Sequence, residues 1–195
     1  MTDILKDWRS ECGFSRSEKD LRIYYTPVAF AKTIILVASH PKEIGWNMVI
    51  KPYKEGYRVE DIVVYPQKVS PAYVSVDLAR YGMWKANLPD EIDQNLFGNG
   101  HSHVNMGTFS SAVDERQQHD EIMTKKNGFY FFQIWNKRNN VNSFFYDIDN
   151  MIYYPVEKIE LIVEEAEEFI EDSFMTIDST NKYEAGEDFE SEQII

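Results

Sequence analysis

The segment FGNGHSHVNMGTFSSAVDERQQHDEI, residues Phe97–Ile122, is the most informative part of the sequence. It holds three of the four histidines among 195 residues and joins a predicted strand to a predicted helix. His101 and His103 are separated by one residue, and side chains at that spacing on a strand point to the same face of a sheet. Ser111 and Asp114 stand three residues apart, as in a helix capping box. We predict a strand that presents two imidazoles, then a loop and a helix whose first turn carries a carboxylate.

Strand and helix patterns alternate on both sides of this segment. Upstream they predict a strand at residues 21–27, a buried helix at 28–41, two strands at 43–53 and 57–70 joined through Gly56, and a helical stretch closed by Pro89. The apolar run in 28–41 is also compatible with a strand. A Gly-Asn-Gly turn is expected before the histidines, within a short strand at 95–104. Downstream the patterns predict a helix at 112–128, aromatic strands at 129–137 and 142–163, and an acidic helix from residue 164.

This interleaving of strands and helices predicts one layered domain of the α/β (α+β) class. We divide the chain into an N-terminal extension at 1–20, a folded domain at 21–163 and an acidic C-terminal tail at 164–195. The tail is expected to be helical at its start. A hydrophobic fraction of 43% is typical of a folded globular protein.

The formal net charge of −13 comes mainly from the tail. Residues 164–195 contain twelve acidic residues and one basic residue, so the rest of the chain is almost neutral. A body without a basic stripe offers little to a phosphate backbone, and we predict no binding to nucleic acid. The tail is either a solvated extension or a segment that docks on a partner or on the protein's own cleft.

The chain has no sequence signal for a membrane or for secretion. Its longest apolar run, Thr33–Ala38, is too short to span a bilayer, and the N-terminus lacks the apolar stretch of a signal peptide. Cys12 is the single cysteine, which excludes an intramolecular disulfide and a cysteine-rich zinc site. We predict a soluble protein of the cytoplasm.

The histidine pair and the aspartate form a candidate metal site. A catalytic zinc commonly has three protein ligands, with His and Asp among them, and an open position for water. His101, His103 and Asp114 meet that requirement if the loop between them turns the chain back toward the sheet. A lone His-x-His pair is more often structural, so the prediction depends on the whole set. Such a site also needs an upstream carboxylate as a base.

The whole pattern resembles the JAMM (MPN-plus) family of zinc metalloproteases. His101-Ser-His103, ten intervening residues, Asp114, a serine three residues before it and an isolated upstream glutamate match the family signature. The resemblance implies a JAB/MPN-type single domain with a mixed sheet flanked by helices, in a cytidine-deaminase-like layering. It also implies that one Zn²⁺ per chain is bound by His101, His103 and Asp114. By the same resemblance, Glu43 in HPKEIGW is the general acid/base and Ser111 stabilises the oxyanion.

The resemblance further implies hydrolysis of a peptide or isopeptide bond in a protein or peptide substrate. The substrate could carry a ubiquitin-like C-terminal tail. Two alternatives stay open: an MPN-type scaffold with an idle metal site, and a processing peptidase within a viral or mobile-element assembly. The segment between Ser70 and Phe97 and the loop VNMGTFS are the expected walls of the substrate groove.

Four residues have simpler roles to weigh, and one departs from the family pattern. Glu43 could be a solvent-facing carboxylate at a strand start, and Ser111 could serve only as a helix N-cap. His119 is expected at the surface or behind the ligands, and His40 in a turn. Val104 stands where the family usually has a proline after the second histidine, which leaves the loop less constrained.

Overall fold

The computed structural model describes residues 7–70, 74–166 and 170–171. Within them the chain forms eleven strands and five α-helices. In chain order these are α1 (Trp8–Glu11), β1 (Ser15–Arg16), β2 (Leu21–Tyr25), α2 (Pro27–Ser39), β3 (Gly45–Tyr53), β4 (Gly56–Val63), β5 (Lys68–Val69), β6 (Val74–Ser75), α3 (Leu78–Ala86), α4 (Asp90–Asp93), β7 (Leu96–Ser102), α5 (Ala112–Thr124), β8 (Phe129–Trp135), β9 (Val141–Asp147), β10 (Ile152–Tyr154) and β11 (Ile159–Val163). A short 3₁₀ turn, Val156–Lys158, precedes β11.

Nine of these strands form one mixed sheet in the order β1-β10-β9-β8-β7-β3-β4-β2-β11. Four neighbouring pairs are parallel, namely β1 with β10, β7 with β8, β2 with β4 and β2 with β11. The other four pairs are antiparallel. β5 and β6 form a separate two-stranded sheet. The chain is therefore a mixed sheet flanked by helices, which agrees with the predicted α+β class.

The inner strand β8 is buried on both faces. Its alternating side chains enter two different cores, because successive residues of a strand point to opposite faces. Phe129, Phe131 and Trp135 join a cluster that includes residues of α2. Tyr130 and Phe132 join a second cluster that includes Ile122 of α5. α2 and α5 thus cover opposite faces of the sheet.

α2 is less buried than its sequence suggests. Ala29, Thr33 and Val37 are buried, and their spacing of four residues forms one stripe along the helix. Val28 and Ile35 are 61% and 63% exposed. The prediction of a helix was correct, but the prediction of a fully buried one was wrong, since the sheet covers only one face of α2.

Two predicted strands are interrupted in the structure. The run 57–70 divides into β4 and the short β5, which leaves the main sheet to pair with β6. The run 142–163 divides into β9, β10 and β11, and these lie at different places in the sheet. The aromatic and β-branched residues of such runs favour strands but do not mark where the chain turns.

The N-terminal segment takes part in the sheet. β1 pairs with β10 at one edge, and Phe14 lies in the same core cluster as Tyr146. Most of the predicted tail at 164–195 lies outside the described residues, and so does most of its predicted initial helix. None of the described helices is long and apolar enough to cross a membrane.

Candidate metal centre

The first turn of α5 presents Asp114 as the sequence predicts. Ser111 is the N-cap: its Oγ accepts a hydrogen bond from the Asp114 N–H at 3.2 Å, and its own N–H donates to Asp114 Oδ2 at 2.7 Å. This reciprocal capping box fixes the start of the helix. It also fixes the Asp114 carboxylate, which is only 8% exposed, at the positive end of the helix dipole.

The end of β7 presents the two histidines. His101 lies in the strand, and His103 lies just past its end, where its N–H still donates to the Trp135 carbonyl at 2.7 Å. The two Nε2 atoms are 3.1 Å apart, so both imidazoles point to the same side of the sheet. This agrees with the predicted strand geometry.

The expected Gly-Asn-Gly turn is absent, because Gly98 and Gly100 lie inside β7. A Cβ at Gly98 would lie 2.6 Å from the Phe131 carbonyl oxygen, and a Cβ at Gly100 would lie 2.5 Å from the Trp46 ring. These glycines allow neighbouring groups to approach the strand closely. The prediction of a turn was wrong, since glycine here serves packing and not chain reversal.

Three candidate ligands converge at one point. His101 Nε2 lies 3.1 Å from Asp114 Oδ1, and His103 Nε2 lies 3.4 Å from Asp114 Oδ2. Within the described part of the chain, these three residues form the group of histidine and acidic side chains whose ligand atoms all lie within 4.8 Å of one another. The group could bind a metal ion.

The hydrogen bond of the second histidine orients it for such a role. His103 Nδ1 lies 2.8 Å from the Gly107 carbonyl oxygen, which can only accept, so Nδ1 carries the hydrogen. In the neutral ring, Nε2 then presents a lone pair to the Asp114 carboxylate. Orientation of a metal-binding histidine through its other ring nitrogen is typical of metal sites.

The electrostatics of the centre favour a cation. Burial raises the pKa of Asp114, but hydrogen bonds with His101 and His103 outweigh it and hold that pKa well below its usual range. Burial lowers the pKa of His103, yet the interaction with Asp114 and the Gly107 carbonyl raise it above the usual value overall. Both shifts express the same preference of this point in the structure for positive charge.

Glu43 lies beside this group, two residues before β3. Its backbone N–H donates to the Ser70 carbonyl at 3.0 Å. The next residue, Ile44, exchanges two hydrogen bonds with Ser102, one to the Ser102 Oγ at 3.3 Å and one from the Ser102 N–H at 2.9 Å. These bonds attach the Glu43 segment to the end of β7 that carries the histidines.

The carboxyl of Glu43 is 5% exposed and has a perturbed acidity. Burial raises its pKa, the nearby histidines His103 and His101 lower it, and the net pKa lies above the usual value of a glutamate. The sequence alternative of a solvent-facing glutamate is therefore wrong. Glu43 is a buried carboxyl whose pKa is changed by the charges of His103, His101 and Asp114.

One cleft of about 220 Å³ contains all five predicted site residues. Its other walls are Tyr65, Val74, Val76, Asn99, Met106, Phe109, Val113 and Gln117. Both expected wall segments contribute, since Val74 and Val76 follow Ser70, and Met106 and Phe109 belong to the loop after His103. The polar groups thus lie in a mainly apolar cleft, as is common for ligand sites.

Sequence reasoning missed Tyr65. A Cβ on Gly45 would lie 2.1 Å from the Tyr65 hydroxyl, so this glycine is what lets the tyrosine lie over the start of β3. Burial raises the pKa of Tyr65 to about 12, so its hydroxyl is a weaker acid than that of an exposed tyrosine. Its position after β4, without a recognisable pattern around it, gave no signal in the sequence.

Val104 has a backbone conformation that proline cannot adopt. Its φ angle is 49°, in the left-handed region that β-branched residues rarely enter, whereas proline is fixed near −65°. Its carbonyl accepts a hydrogen bond from the Lys137 N–H at 2.7 Å, which holds the loop in place. The loop after His103 is therefore held by this hydrogen bond in a conformation that a proline at position 104 could not adopt.

The other two histidines lie apart from the centre, as predicted. His119 is on α5 beyond Asp114, where its ring meets Trp8 edge to face at 5.3 Å. His40 caps the C-terminus of α2, with its Nδ1 3.0 Å from the Lys42 carbonyl oxygen. Neither contributes to the candidate metal group.

No protein-family model matches this sequence, and no curated protein matches it. Among solved structures, the chain is similar to the solution structure of protein DSY2949 from Desulfitobacterium hafniense. The TM-score is 0.48 and the identity 18%, over 73% of this chain and 92% of that chain. This likeness is too distant to support a conclusion about fold family or function.

Proposed function

We propose that this protein is a zinc metallopeptidase of the JAMM type, with a JAB/MPN-like domain, that hydrolyses a peptide or isopeptide bond. The observation that carries the proposal is the convergence of two imidazoles and one carboxylate beside a buried glutamate, in one cleft. The same five residues match the signature described above, and their side chains share this cleft. Glu43 precedes β3, the histidines lie at the end of β7, and Ser111 and Asp114 lie at the start of α5.

The distances among the three candidate ligand residues are close to those of a zinc site. Bonds of about 2.0–2.1 Å to a tetrahedral ion place two ligand atoms roughly 3.3–3.4 Å apart. The two histidine Nε2 atoms are 3.1 Å apart, and each lies 3.1 or 3.4 Å from one of the two carboxylate oxygens of Asp114. Two histidines and one aspartate also leave a fourth position for water, as catalytic zinc sites do. Bound there, zinc would supply Lewis-acid activation of water and of the scissile carbonyl.

Glu43 is the proposed proton carrier. A general base works best when its pKa lies near the working pH, and burial moves the pKa of Glu43 in that direction. Its carboxylate accepts the proton of the attacking water and then delivers that proton to the leaving amine. The backbone bonds of Glu43 and Ile44 hold this carboxylate at the cleft without occupying its oxygens.

Ser111 is the proposed oxyanion donor. The capping box uses its Oγ as an acceptor, which leaves the hydroxyl hydrogen able to donate into the cleft. A donor aimed at the developing charge of the carbonyl oxygen contributes through electrostatic stabilisation. The cap holds this hydroxyl next to Asp114, so Ser111 is both the N-cap of α5 and the proposed oxyanion donor.

The walls of the cleft favour an apolar segment of the substrate next to the scissile bond. Met106, Phe109 and Val113 line it and are also among the exposed apolar residues. Exposed apolar side chains grouped at a cleft are typical of a binding site. A protein or peptide substrate, including one with a ubiquitin-like C-terminal tail, could present such a segment.

A scaffold function is the second candidate, and an assembly-bound processing peptidase is a form of the first. In a scaffold, the metal centre would bind zinc without turnover. The buried Glu43 argues for the enzyme, because a buried carboxyl with a raised pKa has no evident structural function here. The acidic tail remains a proposed docking segment for a partner.

The decisive experiment compares zinc-loaded parent protein with zinc-loaded Glu43→Gln on a panel of peptides, isopeptides and ubiquitin-like fusions. We expect equal zinc content and a loss of turnover of about 10²–10⁴-fold in the variant. Lys42→Gln, a neighbouring change outside the cleft, should leave turnover unchanged and serves as the control.

Two results would count against this assignment. Parent-like cleavage by zinc-loaded Glu43→Gln would mean that another group is the base. Zinc binding by the parent without cleavage of any member of the panel would favour the scaffold function.

A further inference from the structure

A second, partly buried polar cluster contacts α5 through Glu115 and Gln118. We call it the N-terminal clamp and define it by Trp8, Arg9, Glu115, Gln118 and Tyr146. Trp8 Nε1 donates to Glu115 Oε2 at 2.9 Å, and the Arg9 guanidinium contacts the same carboxylate at 2.9 and 3.3 Å. Residues more than 100 positions apart in sequence are thereby joined.

Arg9 is the centre of this clamp. It is 8% exposed, and its Nε donates to the Tyr146 hydroxyl at 2.7 Å while Nη2 donates to Gln118 Oε1 at 3.1 Å. Its guanidinium also lies within 6 Å of four aromatic ring centres, those of Trp8, Phe144, Tyr146 and Tyr153. A buried arginine with this many partners has one well-defined position.

The clamp adjoins the metal ligand along the chain. Glu115 directly follows Asp114. Gln118 lies one turn later, and its Nε2 donates a hydrogen bond to Ser110 Oγ at 3.3 Å. Ser110 in turn precedes the N-cap Ser111. The clamp therefore holds both the helix and the loop on either side of the Asp114 carboxylate.

We propose that Trp8 and Arg9 are positioning residues for the metal centre, and that they set the place of Asp114 relative to His101 and His103. This inference rests on the proposed function for its catalytic meaning, but the geometric claim concerns the protein itself. The capping box fixes Asp114 within α5, while the clamp and the apolar core help to hold α5 against the sheet that carries the histidines. Outer contacts of this kind commonly change metal affinity when they are removed.

The test uses the full chain in four variants: Arg9→Met, Arg9→Lys, Trp8→Phe and, as the matched control, Arg116→Met. Arg116 is an exposed arginine on the same helix. Three quantities are measured for each: zinc affinity by competition with a chromophoric chelator, the NMR signals of the His101 and His103 rings in metal-free protein, and urea unfolding. Trp8→Phe removes a single hydrogen bond and keeps a positioning variant available if Arg9→Met does not fold.

We expect Arg9→Met to weaken zinc binding about 10-fold, the lower end of the effect of residues that orient metal ligands. Trp8→Phe and Arg9→Lys should weaken it less, and Arg116→Met should match the parent. The ring signals of His101 and His103 should shift in the same order. If the clamp variants lose stability but keep parental zinc affinity and histidine signals, the clamp is only structural and the inference is overturned.

The two proposals can fail separately. If the parent binds no zinc, the metallopeptidase proposal falls, and the histidine signals of the metal-free variants still decide whether the clamp positions the centre. If the parent binds zinc and cleaves, but the clamp variants do so equally well, only the positioning role falls.

Discussion

The first turn of α5 contacts two polar groups of residues, the N-terminal clamp and the candidate metal centre. They differ in how their hydrogen-bond donors and acceptors are matched. On the clamp side, the donors of Trp8 and Arg9 meet the acceptors of Glu115 and Gln118. On the metal side, Asp114 faces the Nε2 atoms of two histidines, and His103 uses its hydrogen on the opposite ring nitrogen. The clamp pairs donors with acceptors, whereas the metal side brings two histidine Nε2 atoms and a carboxylate together around a point that favours positive charge.

This difference teaches how to separate structure from function among buried polar groups. A buried cluster with matched donors and acceptors stabilises the fold, and removing one partner leaves another without its bond. A cluster of converging acceptors is unfavourable until a cation or proton enters it. Substitutions on the metal side should therefore act most strongly on zinc binding, and substitutions on the clamp side most strongly on stability.

The largest effect is expected on the metal side. The double variant His101→Ala, His103→Ala should lose zinc completely, because one carboxylate cannot hold the ion alone. Its metal-free form should be less stable than the metal-free parent, because the buried Asp114 carboxylate loses both histidine partners. Elemental analysis and urea unfolding measure the two outcomes, and full zinc content in this variant would end the assignment.

Ser111 separates the cap from the chemistry on the same side. Ser111→Ala should destabilise by about 1 kcal/mol and Ser111→Gly by only a few tenths, because glycine is a tolerable N-cap. Both remove the hydroxyl, so both should lower turnover by roughly 10²-fold if it stabilises the oxyanion. Turnover that follows stability across the two variants would instead reduce Ser111 to a cap.

On the clamp side, Arg9→Met should lower the free energy of unfolding by about 3 kcal/mol, because the Glu115 carboxylate would keep its place without its cation. Arg116→Met should change it by less than about 0.5 kcal/mol, as exposed substitutions do. Urea unfolding of metal-free protein measures both. Equal stability of the two variants would remove the distinction between the clamp and the surface of α5.

The loop that joins the two histidines to α5 offers a further test. Val104→Pro, which restores the residue usual in the JAMM pattern, should destabilise by about 3 kcal/mol because proline cannot reach a φ of 49°. Val104→Gly should be neutral or stabilising, since glycine accepts that conformation. Thermal unfolding of both variants gives the comparison, and a stable proline variant would show that the loop has another conformation available.

The smallest expected effect is a pH dependence of the clamp. Burial raises the pKa of Glu115, but hydrogen bonds from Arg9 and Trp8 outweigh it and bring that pKa below its usual value. A lowered carboxyl pKa contributes stability above the unfolded value of about 4.3 and loses it as the pH falls through the folded one. The stability difference between the parent and Glu115→Gln should thus narrow from pH 6 toward pH 3. A constant difference across that range would mean that the Glu115 charge contributes nothing.

The sequence alone determined the local features of this protein. The shared direction of the His101 and His103 side chains follows from their two-residue spacing and strand geometry. The Ser111–Asp114 capping box follows from local hydrogen bonding. Both are present because short-range rules need no knowledge of the rest of the chain. The same rules gave the α+β class and the existence of the main helices.

Only the tertiary structure decided which distant residues these local features contact. The roles of Gly98 and Gly100 depend on Phe131 and Trp46 from other strands, and the exposed face of α2 depends on what the sheet covers. Tyr65 and Arg9 carried no recognisable pattern, because their positions arise from contacts with residues distant in sequence. Such contacts depend on packing of the whole domain, which periodicity and spacing along the chain do not encode.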